Sequence, residues 1–177
     1  MALPKLNSPT YELKVPSTGN SISYRPFLVK EEKILMMAME SNDTEQMMRA
    51  VKDVIRSCTS DSVDVNTLAM FDIEYIFTQL RAKSVGETST ISVKCSSCKA
   101  SNDVVVNMED VYVDVPESTV HTIPLTDTVG VSLKYPSVNA MVKAQSSDTQ
   151  SEVNRVFDLI VACVDSIYSD DEIFDAK

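Results

Sequence analysis

The spacing of apolar positions changes along the chain, and each change marks an element. Tyr11-Glu12-Leu13-Lys14-Val15 alternates apolar and polar side chains, as a half-buried strand does. Pro16-Ser17-Thr18-Gly19-Asn20 has turn chemistry, with Gly19 free to take positive φ, and Ser21-Ile22-Ser23-Tyr24 alternates again. Residues 11 to 24 therefore read as a β-hairpin, cut off by Pro26, which has no N–H for a ladder. The period then lengthens. Residues 27 to 41 carry Leu28, Ile34, Leu35, Met36, Met37 and Met39 around much of the circumference, which predicts a helix covered by more than one neighbour. Asn42 or Asp43 caps a second helix with Met47, Val51, Val54 and Ile55 on one face, ending in the short-polar cluster that starts at Cys58. A third starts at Asn66 or Thr67 and runs through Phe71, Ile73, Ile76 and Leu80. It has Arg81 and Lys83 in its last turn and closes at Gly86. Phe27, Phe71, Tyr75 and Phe77 are the side chains expected to consolidate this helical lobe.

Beyond Gly86 the period-two pattern returns. Thr90 to Lys94 and Asp103 to Asn107 flank the turn Cys95-Ser96-Ser97-Cys98-Lys99-Ala100-Ser101-Asn102 and predict a second hairpin. Residues 111 to 115, 121 to 125 and 128 to 134 are further strand candidates. Tyr135-Pro136 ends the β-rich stretch, because a residue before proline avoids the helical region. A short helix is expected over residues 137 to 143 and a polar linker over 146 to 151. Val153, Phe157, Ile160, Val161 and Val164 then mark an amphipathic helix that should return to the helical lobe. The remainder, 169 to 177, reads as an acidic solvated tail. The fold class is α+β. Its divisions are an extended arm at 1–10, a hairpin and helical lobe at 11–86, a β-rich insertion with the CxxC hairpin at 87–135, and the returning C-terminal helix at 136–177.

Composition narrows the function. Sixteen Lys and Arg stand against 26 Asp and Glu, a formal charge of -10, so neither a nucleic-acid backbone nor an anionic membrane suits this surface. No apolar run is long enough for a membrane anchor, and the N-terminal residues do not have the pattern of a signal peptide. A 44% hydrophobic fraction suffices for a core. Cys58 and Cys163 sit singly in helical patterns, as small buried hydrophobes do.

One motif carries chemistry. Cys95 and Cys98 have the spacing that grips one side of a tetrahedral Zn²⁺, but a closed site needs two more ligands and no second CxxC follows. His121, the only histidine, is the weak third candidate, with a carboxylate as fourth. The competing readings are an unmetallated turn, an oxidised pair, and four thiolates pooled by two chains. Flanking strands argue against a thioredoxin-type pair, which precedes a helix. No catalytic residue and no bound cofactor is assigned, zinc at the turn being the one cofactor weighed. His121 has no positioned partner, and the acidic run Ser169-Asp170-Asp171-Glu172 does not have the pattern of a calcium loop. Met36, Met37, Met39, Met47 and Met48 read as core filling ahead of a binding face.

Several stretches, in order, resemble one family. They are Met1-Ala2-Leu3-Pro4-Lys5-Leu6, Tyr24-Arg25-Pro26-Phe27-Leu28-Val29-Lys30-Glu31-Glu32-Lys33, Phe71-Asp72-Ile73-Glu74-Tyr75, Leu80-Arg81-Ala82-Lys83-Ser84-Val85-Gly86-Glu87, Val93-Lys94-Cys95 with Cys98, and Lys134-Tyr135-Pro136-Ser137. The chain is similar through them to the baseplate hub proteins of T4-type myoviruses. The resemblance implies a structural subunit of the central hub of a contractile tail, multimeric and located in the virion after assembly in the host cytoplasm. Other hub, spike, tape-measure or inner baseplate proteins would be its partners. It also leaves room for a hub assembly chaperone that is absent from the mature virion, and it implies a chain continuing past Lys177 with another helical segment. A small metal or thiol enzyme is the reading from a different class.

Overall fold

The structure, a computed structural model, describes residues 8–60, 62–116, 121–146, 151–169 and 172–175. Most of the expected N-terminal arm at 1–10 and of the polar linker at 146–151 lies outside the described residues. The fold is α+β, with five α-helices and three antiparallel sheets among the described residues. The chain forms two compact units. The first comprises residues 1–65 and 71–113, the second residues 66–70 and 114–177. The β-rich middle is thus divided: the CxxC hairpin groups with the helices and the later strands group with the C-terminal segment.

In the first unit, β1 (Tyr11–Lys14) pairs with β2 (Ser21–Tyr24), Leu13 opposite Ile22, and the turn uses Gly19 at φ 70°. Alternation sends Leu13, Val15, Ile22 and Tyr24 inward. Three helices follow, α1 (Val29–Glu40), α2 (Thr44–Cys58) and α3 (Met70–Ser84). Of the two cap candidates for α2 it is Asp43 that caps, accepting the N–H groups of Glu45 and Gln46 at 2.8 and 3.3 Å. The helix buries Ala50, Val54, Ile55 and Cys58, and α3 buries Ile73, Ile76 and Leu80 at helical spacing. Aliphatic side chains thus fill the centre of the lobe. Phe27, Phe71, Tyr75 and Phe77, expected there, are only half-buried at its margin. The start of α3 is also later than expected, because residues 65–67 form a turn and the helix begins at Met70.

Helix α1 departs further from its pattern. Leu35 and Ala38 are its buried apolar side chains, while Ile34, Met36, Met37 and Met39 are exposed. The run of apolar residues reflects a helix packed on one side and apolar on the other, so the core reading of these three methionines is corrected. Met47 and Met48 are half-buried.

The strands β3 (Thr88–Lys94) and β4 (Ser101–Asn107) form the second hairpin, in register from Thr88↔Asn107 to Lys94↔Ser101. Its base is fastened to α3. Met108 N–H donates to Glu87 O at 2.7 Å, and Lys83 pairs with both Glu87 and Glu109 while lying 5.4 Å from the centre of the Tyr11 ring. Residues 108–110 form a single 3₁₀ turn. The expected strand at 111–115 is not formed, since this segment leaves that turn extended with no ladder partner.

The second unit holds a four-stranded antiparallel sheet, ordered β5 (Thr122–Pro124), β6 (Val129–Leu133), β7 (Val164–Ser169) and β8 (Glu172–Asp175). Between β6 and β7 the chain forms α4 (Val138–Ser146) and α5 (Glu152–Cys163), which pack on each other. The last two strands correct the sequence reading of a solvated tail and of a helix reaching Val164. The helix stops at Cys163, and Val164-Asp165-Ser166-Ile167-Tyr168 alternates as a strand that pairs on both sides. Of the acidic run, Asp170 and Asp171 lie outside the described residues, whereas Glu172 opens β8.

Candidate assembly surfaces and the cysteine turn

The hairpin β3–β4 has two chemically different faces. Ser89, Ile91 and Val93 share a face with Val106, Val104 and Asn102, whereas Thr90, Ser92, Lys94, Ser101 and Asp103 lie on the other with Val105. The apolar face is uncovered: Ile91, Val93 and Val104 are 46%, 47% and 45% exposed. A two-stranded hairpin is marginal by itself in water, and burying one such side chain stabilises by roughly 1.5–3 kcal/mol. This face therefore stands to gain from a partner. The second unit shows the same feature on α5, where Val153, Val156, Phe157, Ile160 and Val161 are exposed. Arg155, Leu159 and Cys163 are its half-buried side.

At the tip of the hairpin, Cys95 N–H donates to Ala100 O at 2.9 Å and Lys99 N–H to Cys95 O at 3.0 Å, with Lys99 at φ 60°. This folds the chain so that the N–H groups of Cys98 and Ser97, followed by the Cys98 thiol, donate to the Cys95 sulfur and draw that thiol below the ordinary cysteine value. Cys95 is half-buried and Cys98 exposed, and both are free thiols. His121 belongs to the other unit, where its ring meets Tyr135 edge-on at 5.3 Å and its carbonyl accepts Leu133 N–H. Among the described residues no group of three or more His, Cys, Asp and Glu is placed to hold a metal ion. Cys58 is of another kind: burial pushes its thiol up to about 11, so it stays protonated and packs as an apolar group. Burial likewise raises the Cys163 thiol.

Sequence reasoning missed one polar cluster. Glu31, 2% exposed, sits at the third position of α1, and its carboxylate accepts Leu28 N–H at 2.9 Å, half of a capping box, Leu28 having no acceptor of its own. Arg25 Nη2 and the Ser57 hydroxyl donate to it at 2.8 and 2.9 Å, and Lys30 Nζ lies 3.3 Å away. Burial works against its ionisation, but the hydrogen bonds from Arg25, Leu28 and Ser57 outweigh this and hold the carboxyl at about 2. The signal was present: a glutamate three residues after the extended Leu28, ahead of an apolar run. Arg25 and Lys30 also line a polar cleft of about 550 Å³ with Ser8, Thr10, Ser23 and Thr59. Both cations already engage Glu31, so the cluster fastens β2, α1 and α2 together.

Each unit thus carries an exposed apolar face, on β3–β4 in the first and on α5 in the second, as proteins that dock on others do. The chain matches the family model described as T4 bacteriophage base plate protein over residues 8–177, and it belongs to that family. Neither a curated protein nor a solved structure matches it. Among the described residues no helix is long and apolar enough to cross a membrane.

Proposed function

We propose that the chain is a structural subunit of the central hub of the phage base plate and works by protein–protein contacts. The observation that carries this reading is the uncovered apolar face of β3–β4, set on a hairpin whose base is anchored by Lys83, Glu87 and Glu109. Family membership supplies the assembly, and the physical form supplies the means. Its partners are other hub, spike, tape-measure or inner baseplate proteins, which meet a strongly acidic surface with basic or apolar groups. Several copies act together in the virion, so that modest contacts are multiplied by symmetry.

The test is to purify mature tails and locate the chain in them by mass spectrometry and by imaging of the base plate. Density for it at the hub supports the reading. Its absence from finished tails, with hub assembly failing when the chain is deleted, would instead make it an assembly chaperone.

A further inference from the structure

We propose that the tip of β3–β4 is half of a tetrahedral thiolate site for Zn²⁺, and that a second copy of this chain completes it through its own Cys95 and Cys98. Three observations meet at this place. The first is local geometry. The six residues joining Lys94 to Ser101 are folded so that two backbone N–H groups point at the Cys95 sulfur, while Cys98 returns beside it. N–H groups aimed at a sulfur are the outer contacts that orient a metal-ligating cysteine. The charge nearby suits the same purpose. Lys94 and Lys99 flank the turn in a chain of net charge -10, and Lys99 Nζ is held over the loop by the Ser96 carbonyl at 3.0 Å. Four thiolates on one Zn²⁺ leave a net negative centre, which two such lysines from each copy would offset.

The second observation is incompleteness. Structural zinc takes four ligands, and the described residues offer the two thiols no third group. The third observation selects the occupant. The apolar face of the same hairpin, with Ile91, Val93 and Val104 about half exposed and Val106 behind them, leads directly to the cysteine tip. Two hairpins packed on this face about a two-fold axis, tip beside tip, would bury both faces and bring four sulfurs together. An isologous contact of this kind needs no surface that the chain does not already carry. Formation of the site releases the thiol protons and involves no change of oxidation state.

The experiment uses the full chain, fully reduced and free of oxygen, titrated with Co²⁺ and then Zn²⁺. The expected result is the visible spectrum of a four-thiolate tetrahedral Co²⁺ centre saturating at about one metal per two chains, displaced by Zn²⁺, with a metal-dependent shift from monomer to dimer in sedimentation. Cys95→Ser and Cys98→Ser should each weaken Co²⁺ binding more than about a hundredfold and abolish the metal-dependent dimer. Circular dichroism of each variant should match the parent, because both positions lie at the hairpin tip and neither is in the buried core. The double variant Ile91→Ser and Val104→Ser should lower the dimer's affinity by at least about tenfold with the cysteines intact. Three outcomes would overturn the proposal: no thiolate spectrum, saturation at one metal per chain without association, or binding that survives loss of either cysteine. The first would leave the turn as an unmetallated knuckle, and the second would place the remaining ligands elsewhere in the same chain.

Discussion

Ser17 donates both its backbone N–H and its hydroxyl to the carboxylate of Asp72, at 2.9 and 2.5 Å, across 55 residues of sequence. Asp72 is fully buried in the first turn of α3, where a negative charge also suits the helix N-terminus. The pair ties the β1–β2 turn to the central helix. Asp72→Ala should cost about 2–4 kcal/mol, because two donors lose their acceptor in a buried setting, whereas Ser17→Ala should cost about 1 kcal/mol. Urea unfolding of both variants checks the order. A full loss in Asp72→Ala with none in Ser17→Ala would mean that Asp72 acts only through the helix terminus.

Glu31 sets an acid limit on the fold. Its carboxyl is held at about 2 in the folded chain against 4.5 ordinarily, so the folded state binds its proton less readily than the unfolded state. The stabilisation is present above about pH 4.5 and is lost as pH falls toward 2, on the order of 3 kcal/mol in all. Glu31→Gln should lower stability at neutral pH and flatten its pH dependence across that interval. Urea midpoints measured through the interval would show the two curves converging. Parallel curves would assign the acid response to other carboxylates.

Gly130 is buried directly beneath the ring of Tyr168 on the neighbouring strand, its partner in the ladder, and a Cβ there would overlap the phenol. Gly130→Ala should cost about 1–3 kcal/mol through displacement of the ring. In the double variant with Tyr168→Ala most of that cost should vanish, a coupling that a double-mutant cycle measures directly. Additive losses would show that the strand backbone, not the ring, requires glycine.

The exposed methionines of α1 should matter to partners and not to folding. Replacing Met36, Met37 and Met39 by Ser should change unfolding free energy by less than about 1 kcal/mol, since all three face solvent. Incorporation into tails should fall. A large stability loss with normal incorporation would return these residues to the core.

Much of the fold was legible because its signals are local. The alternation in 11–15 and 21–24, the aspartate cap of α2 and the turn between Lys94 and Ser101 each depend on neighbours in sequence. What failed depended on distant partners. Val164 continues the helical spacing set by Val153, Phe157, Ile160 and Val161, so the start of β7 looked like the end of α5. Only pairing with β6 makes it a strand. Residues 111–115 have strand-like sequence and nothing to pair with. Periodicity showed that α1 is apolar without showing which apolar side chains would be covered. At the cysteine turn, spacing identified the two thiols, while the N–H groups that face Cys95 follow from a fold of the loop that composition does not reveal.

The grouping of residues 66–70 with the C-terminal unit bears on how this chain is made. Ala69 bridges to Ser137, so a strip translated early waits for a strip translated much later before its backbone groups are matched. No single cleavage can then release the C-terminal unit whole. A fragment starting at Asp114 would leave behind Leu68 and Ala69, both buried in the intact chain, and should emerge sticky and poorly ordered.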